Sequence, residues 1–87
     1  MSMAEEQEIG EVKDFFAKVN VAAIELSDDL KVGDKIHFKG HTTDFVQKVD
    51  SMQIDRNDVR EASIGDAIGI KVKERVRQGD KVYKQQS

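Results

Sequence analysis

The sequence has no cysteine and no proline among its 87 residues, and few aromatics. Without cysteine there are no disulfides, no thiolate metal sites and no thiol nucleophile, and the composition fits a reducing compartment. The expected setting is cytoplasmic. No apolar run approaches the roughly 20 residues a membrane helix needs. The opening Met1-Ser-Met-Ala-Glu-Glu-Gln-Glu lacks the basic and apolar regions of a signal peptide. No membrane association is therefore expected. Neither G-x-x-x-x-G-K-[ST] nor G-x-G-x-x-G occurs, so no nucleotide cofactor is expected within this chain.

A chain of 87 residues closes one hydrophobic core, since the buried fraction of surface falls with size. The net charge of −3 and pI near 5.3 argue against binding nucleic acid by counterion release alone. The charge is nonetheless asymmetric. Glu5, Glu6, Glu8 and Glu11 load the N-terminal end, whereas Lys71, Lys73, Arg75, Arg77, Lys81 and Lys84 make the C-terminal end basic.

Residues 1–7 are polar and aperiodic and read as a tail, with the domain over 8–84 and a second short tail at 85–87. Between Glu11 and Leu26 two readings compete. Val12, Phe15, Phe16, Val19, Ala22, Ala23 and Leu26 fall at helical spacing, while their β-branched and aromatic character and a turn at Lys18-Val19-Asn20 favour strands. After residue 27 the punctuation is that of short strands. Lys35-Ile-His-Phe-Lys39 alternates, Phe45 to Ile54 reads as one extended, bulged stretch, and Ala67-Ile-Gly-Ile-Lys-Val72 is a strong strand. Strands separated by turns at about ten-residue spacing describe a small barrel or sandwich.

Three Gly-Asp pairs, Gly33-Asp34, Gly65-Asp66 and Gly79-Asp80, each stand just before an apolar strand. The glycine supplies a positive φ and the aspartate accepts from nearby backbone N–H groups, a structural role rather than a phosphate loop.

Candidate chemistry is sparse. His37 and His41 are the only histidines and complete no zinc site, and Asp50, Asp55 and Asp58 lack the glycine and bidentate glutamate of a calcium loop. Thr42, Thr43, Ser51 and Ser63 read as turn and strand hydroxyls. Phe15 and Phe16 are adjacent, so in a strand one faces the core and the other faces out, where it could seat a partner. In Lys71-Val-Lys-Glu-Arg-Val-Arg77 the four cations share one parity. An unbroken strand there would present them on one face, suited to phosphates or to protecting a sheet edge.

The ordered set Leu30 to Asp34, Lys35-Ile-His-Phe, Val49-Asp-Ser-Met-Gln-Ile54, Val59-Arg-Glu-Ala62 and Gly65-Asp-Ala-Ile-Gly-Ile-Lys-Val72 resembles domain two of the translational GTPases. With Gly40-His-Thr-Thr-Asp-Phe45 and Val76 to Lys84, the chain looks still more like stand-alone translation elongation factor-like proteins. It is also similar to the C-terminal barrel of collagenase-like peptidases, some of whose relatives act in RNA hydroxylation. The resemblance implies an all-β fold, a six-stranded closed Greek-key barrel, with two strands and a turn over residues 9 to 26. It also implies a setting in translation and protein biosynthesis. Gln53 stands where the GTPase family carries a glutamate facing the terminal adenosine of tRNA.

Together these readings predict a non-catalytic, RNA-binding module with no cofactor and no metal. It would meet a tRNA end or the ribosome through Met52, Gln53, Lys71, Lys73, Arg75 and Arg77. The alternative is a protein partner: the chain would be an interaction subunit acting in trans with a collagenase-like peptidase or an RNA-modifying enzyme.

Overall fold

Apolar and polar residues alternate through most of the chain, and in extended backbone that alternation sends one set of side chains to the core and the other to solvent. The computed structural model describes residues 5–86 and consists of strands joined by turns. In chain order these are β1 (Glu5–Phe16), β2 (Val21–Leu26), β3 (Leu30–Lys31), β4 (Lys35–Lys39) and β5 (Asp44–Lys48). There follow β6 (Met52–Ile54), β7 (Asn57–Val59), β8 (Glu61–Ala62), β9 (Ala67–Lys71) and β10 (Lys81–Gln86). One sheet runs β5-β4-β10-β1-β2-β9-β6-β7, and β3 pairs with β8 in a second short sheet. The ladders are antiparallel.

The inward set forms one core, with Ile9, Val12, Ile24, Ile36, Phe38, Met52, Ile70 and Val82 almost fully buried. Phe38 and Phe45 stack within it, ring centroids 5.1 Å apart. Among the described residues no helix is long and apolar enough to cross a membrane.

The all-β expectation holds. The closed six-stranded barrel does not follow from the pairing: the main sheet ends on β5 at one side and β7 at the other, and among the described residues no ladder joins those two edges. The helical spacing between Glu11 and Leu26 belongs to a β-hairpin, with Phe16 opposite Val21 and Asn20 in the left-handed region at φ 55°. Two register shifts interrupt β1, and the second falls inside the stretch of helical period. One falls between Glu8 and Gly10 and the other between Val12 and Asp14. An extra residue resets strand parity, so Ile9, Val12 and Phe15, each three apart, all pack on the core. A regular strand could not do this; a bulged one imitates a helix.

Residues 1–4 and 87 lie outside the described residues, but Glu5, Glu6 and Gln7 extend β1 and pair with Gln86, Gln85 and Lys84 of β10.

The Gly-Asp turns perform the structural role expected of them, three times over. Gly33, Gly65 and Gly79 take φ of 101°, 90° and 95°, values that a side chain would strain. Each aspartate carboxylate accepts from the N–H three residues earlier: Asp34 from Lys31 at 3.0 Å, Asp66 from Ser63 at 2.7 Å and Asp80 from Arg77 at 2.8 Å. Each turn then grips a buried residue of another segment. The N–H groups of Gly33, Gly65 and Gly79 donate to the carbonyls of Val49, Leu26 and Val12, whose own N–H groups donate to the carbonyls of Asp34, Asp66 and Asp80. One local device thus fastens three sectors of the core.

Candidate functional site

The opening between β5 and the end of β9 forms the most distinctive surface. Gln47 shares the inward parity of Phe45 on β5, so its side chain enters the opening rather than solvent. There Gln47 Nε2 donates to the Lys71 carbonyl at 3.0 Å, and the Lys73 N–H donates to Gln47 Oε1 at 3.0 Å. A carbonyl and an N–H two residues apart are what an extended backbone shows to a neighbouring strand. Here a side-chain amide fills that role. Around it lies a groove of about 470 Å³, lined by Lys48, Asp50, Ser51, Lys71 and Lys73, with Val72 at its floor.

The β1–β2 hairpin tip adjoins this groove. Val21 pairs with Lys71, and the Val72 N–H donates to the Asn20 carbonyl at 2.8 Å. Phe15 packs partly against the core, while Phe16 and Val19 stay 50% and 54% exposed. Phe16 is therefore the outward member of the aromatic pair.

The residues expected to face RNA are only partly brought together. Met52 is buried, because alternation on β6 turns it inward while Gln53 points out; it is not a surface contact. Gln53 donates to Asp58 Oδ1 at 3.0 Å, which places a carboxylate beside the amide. The four-cation strand face does not form. β9 ends at Lys71, and the chain beyond it turns, so Arg75 and Arg77 leave the line of Lys71 and Lys73. Arg77 Nε donates instead to Thr42 Oγ1 at 3.0 Å.

A second cluster, whose two carboxylates the sequence does not point to, centres on His37 of β4. Its Nδ1 faces Glu6 Oε2 at 2.7 Å and its Nε2 faces Asp44 Oδ1 at 2.5 Å. Both ring nitrogens can donate only when the ring is protonated, so the geometry is that of an imidazolium held between two carboxylates. Burial of the ring lowers the His37 pKa, but the hydrogen bonds and charges of Asp44 and Glu6 outweigh it and leave the value raised above 6.5. Glu6 in turn is held below 4.5, first by the Gln85 Nε2 hydrogen bond at 2.9 Å and then by His37. Through His37 the cluster ties β1, β4 and β5 together. Among the described residues no group of three or more His, Cys, Asp or Glu is arranged to hold a metal.

No family model matches the chain. It is 51% identical over 77 residues to an uncharacterized protease of Methanocaldococcus jannaschii, a match covering 87% of this chain and 19% of that protein. It is 37% identical over 78 residues to a collagenase of Porphyromonas gingivalis, covering 87% and 22%. The chain thus spans about a fifth of the length of the curated relatives it matches. Its fold is that of the C-terminal domain of a putative U32 peptidase from Geobacillus thermoleovorans, with a TM-score of 0.85 at 18% identity over 90% of this chain and 91% of that one. The selenomethionine variant of that domain gives a TM-score of 0.83.

These relatives overturn the expectation of an RNA-binding, elongation factor-like protein of protein biosynthesis, because they are proteases and collagenases. The similarity to collagenase-like peptidases stands. The GTPase resemblance rested on short strand-and-turn motifs such as Val32-Gly-Asp34, and the structure gives those motifs a structural role that no single function owns.

Proposed function

We propose that this chain is a non-catalytic docking module that works in trans with a collagenase-like peptidase. The observation that carries the reading is the size of the match: 87% of this chain corresponds to 19% of a protease. The likeness is to one segment of such a protein, and the U32 peptidase domain with the same fold is a C-terminal one. Two features of the surface support a binding role. The exposed Phe16 and Val19 at the hairpin tip offer apolar contact, and Gln53, Lys71 and Lys73 offer polar contact nearby. The cysteine-free composition suits a cytoplasmic setting.

Sedimentation of the intact chain with a purified collagenase-like peptidase from the same cell tests this. A joint boundary is expected. Independent boundaries at concentrations well above micromolar would overturn the docking reading. Gelatin incubated with the chain alone should stay uncut, and cleavage would overturn the non-catalytic reading.

A further inference from the structure

We infer that the groove between β5 and the end of β9 takes an extended acidic peptide segment, supplied by the peptidase partner; this deepens the docking reading and rests on it. The argument begins with main-chain geometry. The Lys71 carbonyl and Lys73 N–H form a strand-edge pair occupied by the Gln47 amide alone. One residue of an extended strand points its N–H and its C=O to the same side, supplying the donor and acceptor that this primary amide supplies, so an added strand replaces Gln47 without leaving either backbone group unpaired. Strand addition to a free sheet edge draws its affinity from such main-chain bonds and its selectivity from flanking side chains.

The flanking side chains set the charge of the occupant. Lys48, Lys71 and Lys73 line the groove against the single acid Asp50. Among the described residues no carboxylate ion-pairs with these three lysines, whereas Lys13, Lys81 and Lys84 are each engaged by nearby acids. Acidic side chains on an incoming strand therefore meet uncommitted cations. A nucleic-acid strand fits less well. The lining includes no aromatic ring on which a base could stack, Asp50 repels phosphate, and the paired carbonyl and N–H match the same-side N–H and C=O of one residue in an extended peptide.

The test uses a short capped peptide of alternating Val and Glu, titrated into the intact 15N-labelled chain. Amide shifts confined to residues 46–51 and 70–74 are expected, with affinity falling about tenfold between low and high salt. The Lys48→Glu/Lys73→Glu variant, checked for an unchanged fold by its own spectrum, should weaken binding about tenfold or more. Shifts elsewhere, equal binding of the matching Val-Lys peptide, or tighter binding of a single-stranded oligonucleotide would each overturn the inference. Retained peptidase binding by that variant would sink the groove and leave the docking reading intact. Peptide binding without peptidase binding would do the reverse.

Discussion

Gln47 of β5 meets Lys71 at the end of β9, two strands that no ladder joins among the described residues, its amide Nε2 donating to the Lys71 carbonyl at 3.0 Å. A side chain here does part of what a ladder does elsewhere. Both backbone partners at this site lie near solvent, so water replaces the bonds when the amide is removed, and each is worth only about 1 kcal/mol net. Gln47→Ala is expected to lower stability by about 1–2 kcal/mol in urea unfolding, and to raise hydrogen exchange at the Lys73 amide far more than at Ile70. Unchanged exchange at Lys73 would show that the bridge is not populated.

Asp80 gives the third Gly-Asp turn a different weight from the other two. It is almost fully buried, and a Cβ built on Gly40 would lie 1.9 Å from its Oδ1. Gly40→Ala therefore forces the buried carboxylate out of place. Overpacking of this kind costs about 1–3 kcal/mol, and loss of the Arg77 N–H bond adds to it. Asp80→Ala should likewise cost more than Asp34→Ala or Asp66→Ala, whose carboxylates make the same turn bond at partly exposed sites. Equal denaturation midpoints for the three variants would refute this ranking.

The Glu6–His37–Asp44 cluster predicts how stability varies with pH. His37 has a folded pKa raised above its ordinary 6.5, so the folded state holds the extra proton. Its contribution is complete below pH 6.5 and is lost as pH rises through the folded value. Glu6 is held below its ordinary 4.5, so its contribution is complete above that pH and is lost as pH falls through the lowered value. Lys39 and the Tyr83 ring, 6.5 Å from His37, face the same cluster. The cluster stabilises most between about pH 4.5 and 6.5, and His37→Gln should flatten stability against pH on the alkaline side. A pH profile unchanged by that substitution would remove the cluster from the account.

Phe16 and Val19 are half exposed, so Phe16→Ser/Val19→Ser should shift stability little, within about 1 kcal/mol. The same variant should weaken association with the peptidase. Full retention of binding would place the contact elsewhere.

Much of this fold is legible in the residues. The Gly-Asp turns follow from what glycine and aspartate can do locally, and the short alternating stretches give the later strands. Between Glu11 and Leu26 the β1–β2 hairpin imitates a helix in part because the bulge between Val12 and Asp14 brings Val12 and Phe15, three apart, onto the core, and a bulge leaves no local mark beyond that false helical period. The surface was harder to read. Parity placed Lys71 to Arg77 on one face, but parity holds only while the strand lasts, and β9 stops at Lys71. Met52 illustrates the opposite case, since its alternation with Gln53 already implies burial. The groove at Gln47 could not be anticipated, because it depends on which edges of the sheet remain unpaired. The His37 cluster joins His37 and Asp44 of the β4–β5 hairpin to the distant Glu6 of β1, and nothing local points to that third residue.

Isothermal titration of the intact chain into a purified collagenase-like peptidase tests the docking role most directly. The account predicts a saturable one-to-one heat of association that the Lys48→Glu/Lys73→Glu and Phe16→Ser/Val19→Ser variants each weaken. A flat titration across temperatures, with both proteins folded, would contradict it.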